Sequence, residues 1–184
     1  MAEIQETRIQ ELEKEIAQKK KELSELKRST PEVKVQDYVF TALDGQPVSL
    51  SELFGGQDQL IVIHNMGKSC SYCTMWADGF NGIFGYLQEK AGFVLTSPDS
   101  HGIQKQFHSD RGWNFPMVST QETTFKRDMG FENGTGQLGP GASVFRKDAK
   151  GTIYHCNDVE FGPGDDFCSV WHFYDLLPLQ KNES

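Results

Sequence analysis

Long hydrophobic runs are missing from this chain of 184 residues. The longest are strand-sized, well short of the roughly 20 apolar residues that a membrane helix needs, so no membrane association is expected. The polar start, Met1 to Lys21, has no apolar core of a signal peptide, which makes the cytoplasm the default location. Positive charge is scarce as well. Lys and Arg number 18 against 26 Asp and Glu, a formal net charge of −8 at pH 7, and the lysines that do cluster (Lys19, Lys20, Lys21) are interleaved with glutamates. Such a balance repels a phosphate backbone and disfavours nucleic-acid binding. Cysteine is sparse too: four residues are few for a disulfide scaffold, and in a reducing compartment paired cysteines more often serve redox chemistry or metal binding.

What is present suits one globular domain with an appendage, since 184 residues are enough for one full core and too few for two ordinary ones. The boundary falls between residues 1–29 and 30–184. From Glu3 to Arg28 there is neither Gly nor Pro, and Ile9, Leu12, Ile16, Lys19, Leu23 and Leu26 recur three and four apart, a heptad with one polar position. With Ile9, Ile16 and Leu23 at a positions, the cross-strand pairs Arg8–Glu13, Glu15–Lys20 and Glu22–Lys27 are all opposite in sign, which predicts a parallel coiled-coil homodimer. A helix lying on its own domain would use the same stripe. Ser29-Thr30-Pro31 ends the helix, because proline disfavours helical geometry in the residue before it.

Beyond it, Val33 to Phe40 alternates like an edge strand, and Asp44-Gly45 marks a turn before Val48-Ser49-Leu50. Ser51 to Gly56 reads as a short helical turn leading into Leu60-Ile61-Val62-Ile63-His64, a continuous apolar run expected of a buried central strand. Tyr72 to Leu87 places Trp76, Phe80, Ile83, Phe84 and Leu87 at helical spacing. A strand at Phe93–Thr96, a helix near Gly102–Ser109 and a strand over Trp113–Ser119 follow, an alternation that implies a parallel α/β core. Gln121 to Gly141 is polar and glycine-rich and reads as a long loop. Ser143–Arg146 and Thr152–His155 form a hairpin across Asp148-Ala149-Lys150-Gly151, and a last helix is expected from Phe167 to Leu177.

The chemistry is concentrated in Cys70-Ser71-Tyr72-Cys73. Two cysteines one helical turn apart suit either a disulfide that opens and closes or half of a zinc site. Here the pair follows a buried strand by a short loop and opens an amphipathic helix. Cys70 is thereby expected beside free backbone N–H groups at the positive end of a helix dipole, which favours thiolate over thiol. Cys73, one turn inside, is expected to be more buried, so that Cys70 attacks and Cys73 resolves.

These residues carry a resemblance. Val48 to Phe54, Leu60 to His64 and the CxxC resemble thioredoxin-like proteins of the peroxiredoxin and membrane-tethered thioredoxin type, as do Ser97-Pro98-Asp99-Ser100 and Phe115-Pro116-Met117-Val118-Ser119. More specifically, the chain resembles the uncharacterised bacterial family DUF899 in Tyr38-Val39-Phe40, in Ser71-Tyr72-Cys73 followed by Trp76-Ala77-Asp78-Gly79-Phe80-Asn81-Gly82, in Gly112 to Pro116, in Gly141 to Phe145 and in Tyr174 to Pro178. The resemblance implies an α/β thioredoxin-like fold, a central mixed sheet flanked by helices, behind the N-terminal coiled-coil extension. It also implies a substrate groove formed by Ser71, Tyr72 and the strand position near Ala142. Thioredoxins hold a cis-proline there, and Pro140 lies two residues early. The threonine and proline that peroxiredoxins place three and seven residues before their reactive cysteine are replaced by Gly67 and Ile63, which argues against a peroxidase of the usual kind.

By spacing, His64 stands where thioredoxins carry a buried acid, and with an ordinary pKa of roughly 6.5 it is a candidate to accept the Cys73 proton; a satisfied strand-end histidine is the alternative. The leading expectation is a thiol–disulfide oxidoreductase that needs no cofactor or metal and acts on a protein or small-molecule disulfide. Two alternatives stay open. Cys70 and Cys73 could join His155, Cys156, Cys168 and His172 around zinc, or the chain could be a dimeric binding module.

Overall fold

A computed structural model describes residues 2–178. It opens with helix α1 (Ala2–Arg28), then strands β1 (Val33–Lys34), β2 (Val39–Ala42), β3 (Pro47–Ser49) and β4 (Gln59–His64). Helix α2 (Ser71–Gln88), β5 (Gly92–Ser97), α3 (His101–Arg111), β6 (Met117–Ser119) and α4 (Phe125–Asp128) continue the chain, and β7 (Gly141–Lys147), β8 (Ile153–Glu160) and α5 (Ser169–Asp175) complete it. The strands form one sheet in the order β1-β8-β7-β4-β5-β6-β2-β3. Pairing is parallel for β4–β5 and β5–β6 and antiparallel for β4–β7 and β7–β8. This is the mixed sheet expected of a thioredoxin-like domain.

The central strand β4 is buried on both faces, and its alternation divides the core in two. Ile61 and Ile63 face α2, where Trp76, Ala77, Phe80, Phe93, Leu95, Trp113 and Phe115 pack together. Leu60 and Val62 face the other way, onto Phe54, Val94, Phe125 and Phe145. Burying each such side chain contributes about 1.5–3 kcal/mol, and the first cluster holds α2 against the sheet. Cys73, Trp76, Ala77 and Phe80 are the buried residues of α2, spaced as one helical stripe.

Some expected boundaries move. Val33 to Phe40 is not one edge strand: β1 pairs with β8, and the chain then crosses to the opposite side of the sheet, where β2 pairs with β3 and β6. The expected strand over Trp113–Ser119 shrinks to its last three residues, and Trp113 and Phe115 fill the core from irregular backbone. The stretch from Gln121 to Gly141 contains α4. Helix α1 does not bury its apolar stripe on the domain: Ile9, Leu12, Ile16, Leu23 and Leu26 are all exposed. It is tied down by polar contacts instead, Lys27 Nζ donating to the Asp158 carbonyl at 3.2 Å and Asn157 Nδ2 to the Lys27 carbonyl at 2.6 Å. No helix among the described residues is long and apolar enough to cross a membrane.

Candidate active site

The site sits where β4 ends and α2 begins. The intervening loop is shaped by side chains that accept its N–H groups: Asn65 Oδ1 takes Gly67 N–H at 2.6 Å and Asp99 Oδ2 takes Lys68 N–H at 2.7 Å. Gly67 has a φ of 104°, a conformation L side chains rarely adopt. A Cβ there would also stand 3.2 Å from the Asp99 carboxylate. The loop delivers Cys70 as the N-cap of α2, with extended backbone and Sγ accepting the Cys73 N–H at 3.1 Å. An orphan amide of the helix start is thus satisfied by sulfur.

The two cysteines differ in environment. Cys70 is half-buried and Cys73 is buried, 3% exposed, and both are free thiols. Burial, and then the neighbouring Cys70 side chain, push the Cys73 thiol up to about 12, opposed by the Met66 N–H that reaches its sulfur at 3.5 Å and by the charge of Lys126. Ile63, His64, Asn65, Trp76, Pro140 and Phe161 join Cys73 around a small cavity of about 10 Å³, close to the least that holds one water molecule.

Of the expected substrate-groove residues, Ser71 and Tyr72 open α2 and are exposed, the Tyr72 ring lying 5.5 Å from that of Trp171. Ala142 is not on that surface. It pairs with Ile63 across β4 and β7 and is 6% exposed within the α2-side core, in the cluster that contains Cys73.

His64 is also placed differently from its expected role. Strand alternation sends its ring to the side of Leu60 and Val62, away from α2, where it stacks on Phe131 at 3.8 Å and Phe125 at 5.5 Å. Ser143 Oγ donates to Asp158 at 2.6 Å, so it accepts from His64 Nε2 at 2.8 Å, leaving Nδ1 without a proton and without a partner. Burial pushes the imidazole well below its ordinary pKa, and Lys126 and His155 push in the same direction. The neutral ring thus packs on the Phe125 side of the sheet, while Cys73 packs on the α2 side.

The zinc arrangement does not assemble. His155 is held by Asp158 at 2.8 Å and Cys156 lies 3.5 Å from Glu32 on the β8 edge, while Cys168 caps α5. Among the described residues, no group of three or more His, Cys, Asp or Glu could hold a metal ion.

Two residues join the site that the sequence did not single out. Asp165 accepts four N–H groups, from Trp76 Nε1 at 2.9 Å and Gly162 at 3.0 Å on Oδ2, and from Phe167 at 2.7 Å and Cys168 at 3.0 Å on Oδ1. It pins the loop after β8 onto α2. Gly162-Pro163-Gly164 before it is a turn signal, but nothing local names Trp76 as the partner. Lys126 is 3% exposed and sends Nζ to the Asn65 carbonyl at 2.9 Å. A lysine in a polar stretch carried no signal of burial.

With this geometry in place, the chain can be set beside known proteins. Residues 2–184 match the family described as "Bacterial protein of unknown function (DUF899)". The chain belongs to the DUF899 family. No curated protein matches it. Solved structures similar to this DUF899 chain include the peroxidoxin BcpB of Mycobacterium tuberculosis, 22% identical with a TM-score of 0.57, over 70% of this chain and 84% of that one. A mutant of Xylella fastidiosa PrxQ is 13% identical with a TM-score of 0.58, over 79% and 92%. Enterococcus faecalis AhpC is 20% identical with a TM-score of 0.54, over 71% and 83%. At these identities the likeness is one of fold: the DUF899 chain has the thioredoxin-like fold in its peroxiredoxin form.

Proposed function

We propose that this DUF899 protein is a thiol–disulfide oxidoreductase working through Cys70 and Cys73. The observation that carries the reading is the asymmetry of the pair: Cys70 is a half-exposed N-cap whose sulfur already accepts a backbone N–H, while Cys73 lies buried one turn inside. An N–H aimed at sulfur and the positive end of an 18-residue helix both favour negative charge on Cys70 as it reacts. The Cys70 thiolate attacks a substrate disulfide, forming a mixed disulfide and releasing one substrate thiolate. Cys73 then attacks Cys70, closing the internal disulfide and releasing the second thiolate, so two electrons pass from the pair to the substrate. Ser71 and Tyr72 are exposed beside Cys70 and would meet the substrate, either a protein or a small molecule. Titration of the reduced protein in glutathione redox buffers, with peptide mapping at each step, tests the reading. A Cys70–Cys73 disulfide should appear with loss of two hydrogens, and a pairing that instead engages Cys156 or Cys168 would count against it.

We also infer that α1 pairs two copies of the chain. Its five exposed apolar positions and the three complementary charge pairs support a parallel coiled coil, and none of the described residues of its own domain covers the stripe. Light scattering should give twice the chain mass for the full protein and the single mass once residues 1–28 are removed. An unchanged state would retire the pairing.

A further inference from the structure

We propose that Lys126 is a positioning residue for the resolving step, presenting positive charge to the Asn65 carbonyl so that the Met66 N–H of the same peptide is polarised toward Cys73 Sγ. The inference rests on the exchange reading above. Nζ of Lys126 donates to the Asn65 carbonyl at 2.9 Å and lies 3.5 Å from Thr96 Oγ1, beneath the end of the sheet on the side of Phe125. The N–H that leaves the same peptide from its other edge reaches Cys73 Sγ at 3.5 Å. A trans peptide points its C=O and N–H in opposite directions, and the described residues contain no cis bond. One peptide thus spans the end of β4 with an ammonium on one face and a sulfur on the other. Hydrogen bonds in series strengthen one another where water is excluded.

A buried ammonium with so few acceptors is costly to the fold, which marks it as more than filler. The charged and titratable groups that face it are Cys73 on α2, Glu132 after α4 and His64 on β4, the last held neutral. Burial pulls Lys126 down to about 7, while Cys73 and Glu132 pull it up. Part of the population therefore carries the charge near neutrality, where negative charge developing on Cys73 favours it.

In the resolving step Cys73 loses its proton to solvent and its sulfur attacks Cys70. The new S–S bond forms as the bond to the substrate sulfur breaks, and the departing sulfur leaves with the electron pair. Developing negative charge on Cys73 is what the polarised N–H stabilises. An opposite charge nearby moves a pKa by about 1–3 units. Losing it removes about tenfold thiolate per unit, partly offset by the greater nucleophilicity of the more basic sulfur. The net expectation is a slowing of about 3- to 30-fold.

The test uses the full chain and dithiobis(nitrobenzoate), which releases one thionitrobenzoate when Cys70 attacks and a second when Cys73 resolves. In Lys126→Met the second phase should slow by about 3- to 30-fold relative to the first, and its pH midpoint should rise. Lys126→Arg, which keeps the charge, should recover much of the rate. A second phase within twofold of wild type, with an unmoved midpoint, overturns the inference. If Lys126→Met does not fold, the wild-type Met66 amide decides: its proton and nitrogen NMR shifts should move together with the titration of the Lys126 Cε, and amide shifts that stay fixed while Lys126 titrates overturn the proposal. A first phase that survives in Cys70→Ser overturns the exchange reading, and the inference with it. A first phase lost in Cys70→Ser with a second phase indifferent to Lys126→Met overturns the inference alone.

Discussion

Replacing Asp165 with Asn should unlatch the loop that encloses Cys73. Each carboxylate oxygen accepts two N–H donors, Gly162 and Trp76 on one side, Phe167 and Cys168 on the other. An amide has one oxygen only. Whichever way it turns, its NH₂ meets two donors, so at least two charge-assisted hydrogen bonds are lost, each worth about 1.5–3 kcal/mol. The loop is partly exposed, so water replaces some of that loss, leaving a local penalty of about 2 kcal/mol. The loop carries Phe161 and Cys168 into the core cluster that contains Cys73 and Trp76, so its opening gates access to the buried thiol. Two kcal/mol corresponds to a roughly 30-fold rise in the open population. Iodoacetamide labelling followed by peptide mapping should show Cys73 in Asp165→Asn alkylated about 30-fold faster than in wild type, with Cys70 little changed. Equal Cys73 rates in the two proteins would refute the idea that Asp165 latches the loop.

Gly141→Ala should lower Tm by several degrees, because a Cβ would collide with the Phe131 ring and the Val159 carbonyl, and overpacking of this kind costs about 1–3 kcal/mol or more. A melt within a degree of wild type would show that the ring and strand yield freely. His64 gives a pH dependence with a definite sign. Its folded pKa is depressed, so the unfolded chain takes up a proton below roughly 6.5 while the folded chain does not, and stability falls as pH drops at up to about 1.4 kcal/mol per unit. Urea unfolding between pH 7.5 and 5 should show a shallower acid slope in His64→Gln, and parallel curves would exclude the histidine as the cause.

The elements that were legible in the sequence are those with local signatures. The apolar run of β4, the helical stripe of α2 and the CxxC between them identify the junction because all three depend on neighbours within one turn or one strand. The face on which His64 lies was not legible for a physical reason: β4 is buried on both faces, so the run from Leu60 to His64 shows no alternation from which it could be read. Lys126 and Asp165 were invisible as site residues because their partners lie 61 and 89 positions away, at Asn65 and Trp76. The four-residue α4 that carries Lys126 is too short to leave a periodic pattern in a glycine-rich stretch. The segment from Val33 to Phe40 alternated as a strand does, but alternation does not say which edge of the sheet it joins. Trp113 and Phe115 were recognisable as apolar and not as strandless; the Asp78 carboxylate that accepts Trp113 Nε1 at 2.9 Å lies 35 positions away.

The direction of exchange within the pair is tested most directly by trapping its intermediate. Reduced Cys73→Ser, mixed with a disulfide such as oxidised glutathione and analysed by intact mass and peptide mapping without reductant, should carry one stable mixed disulfide, on Cys70, while Cys70→Ser treated in the same way should carry none at Cys73. An adduct that forms readily on Cys73 in Cys70→Ser, with Cys70 left unmodified in Cys73→Ser, would reverse the roles of the two cysteines and contradict the account.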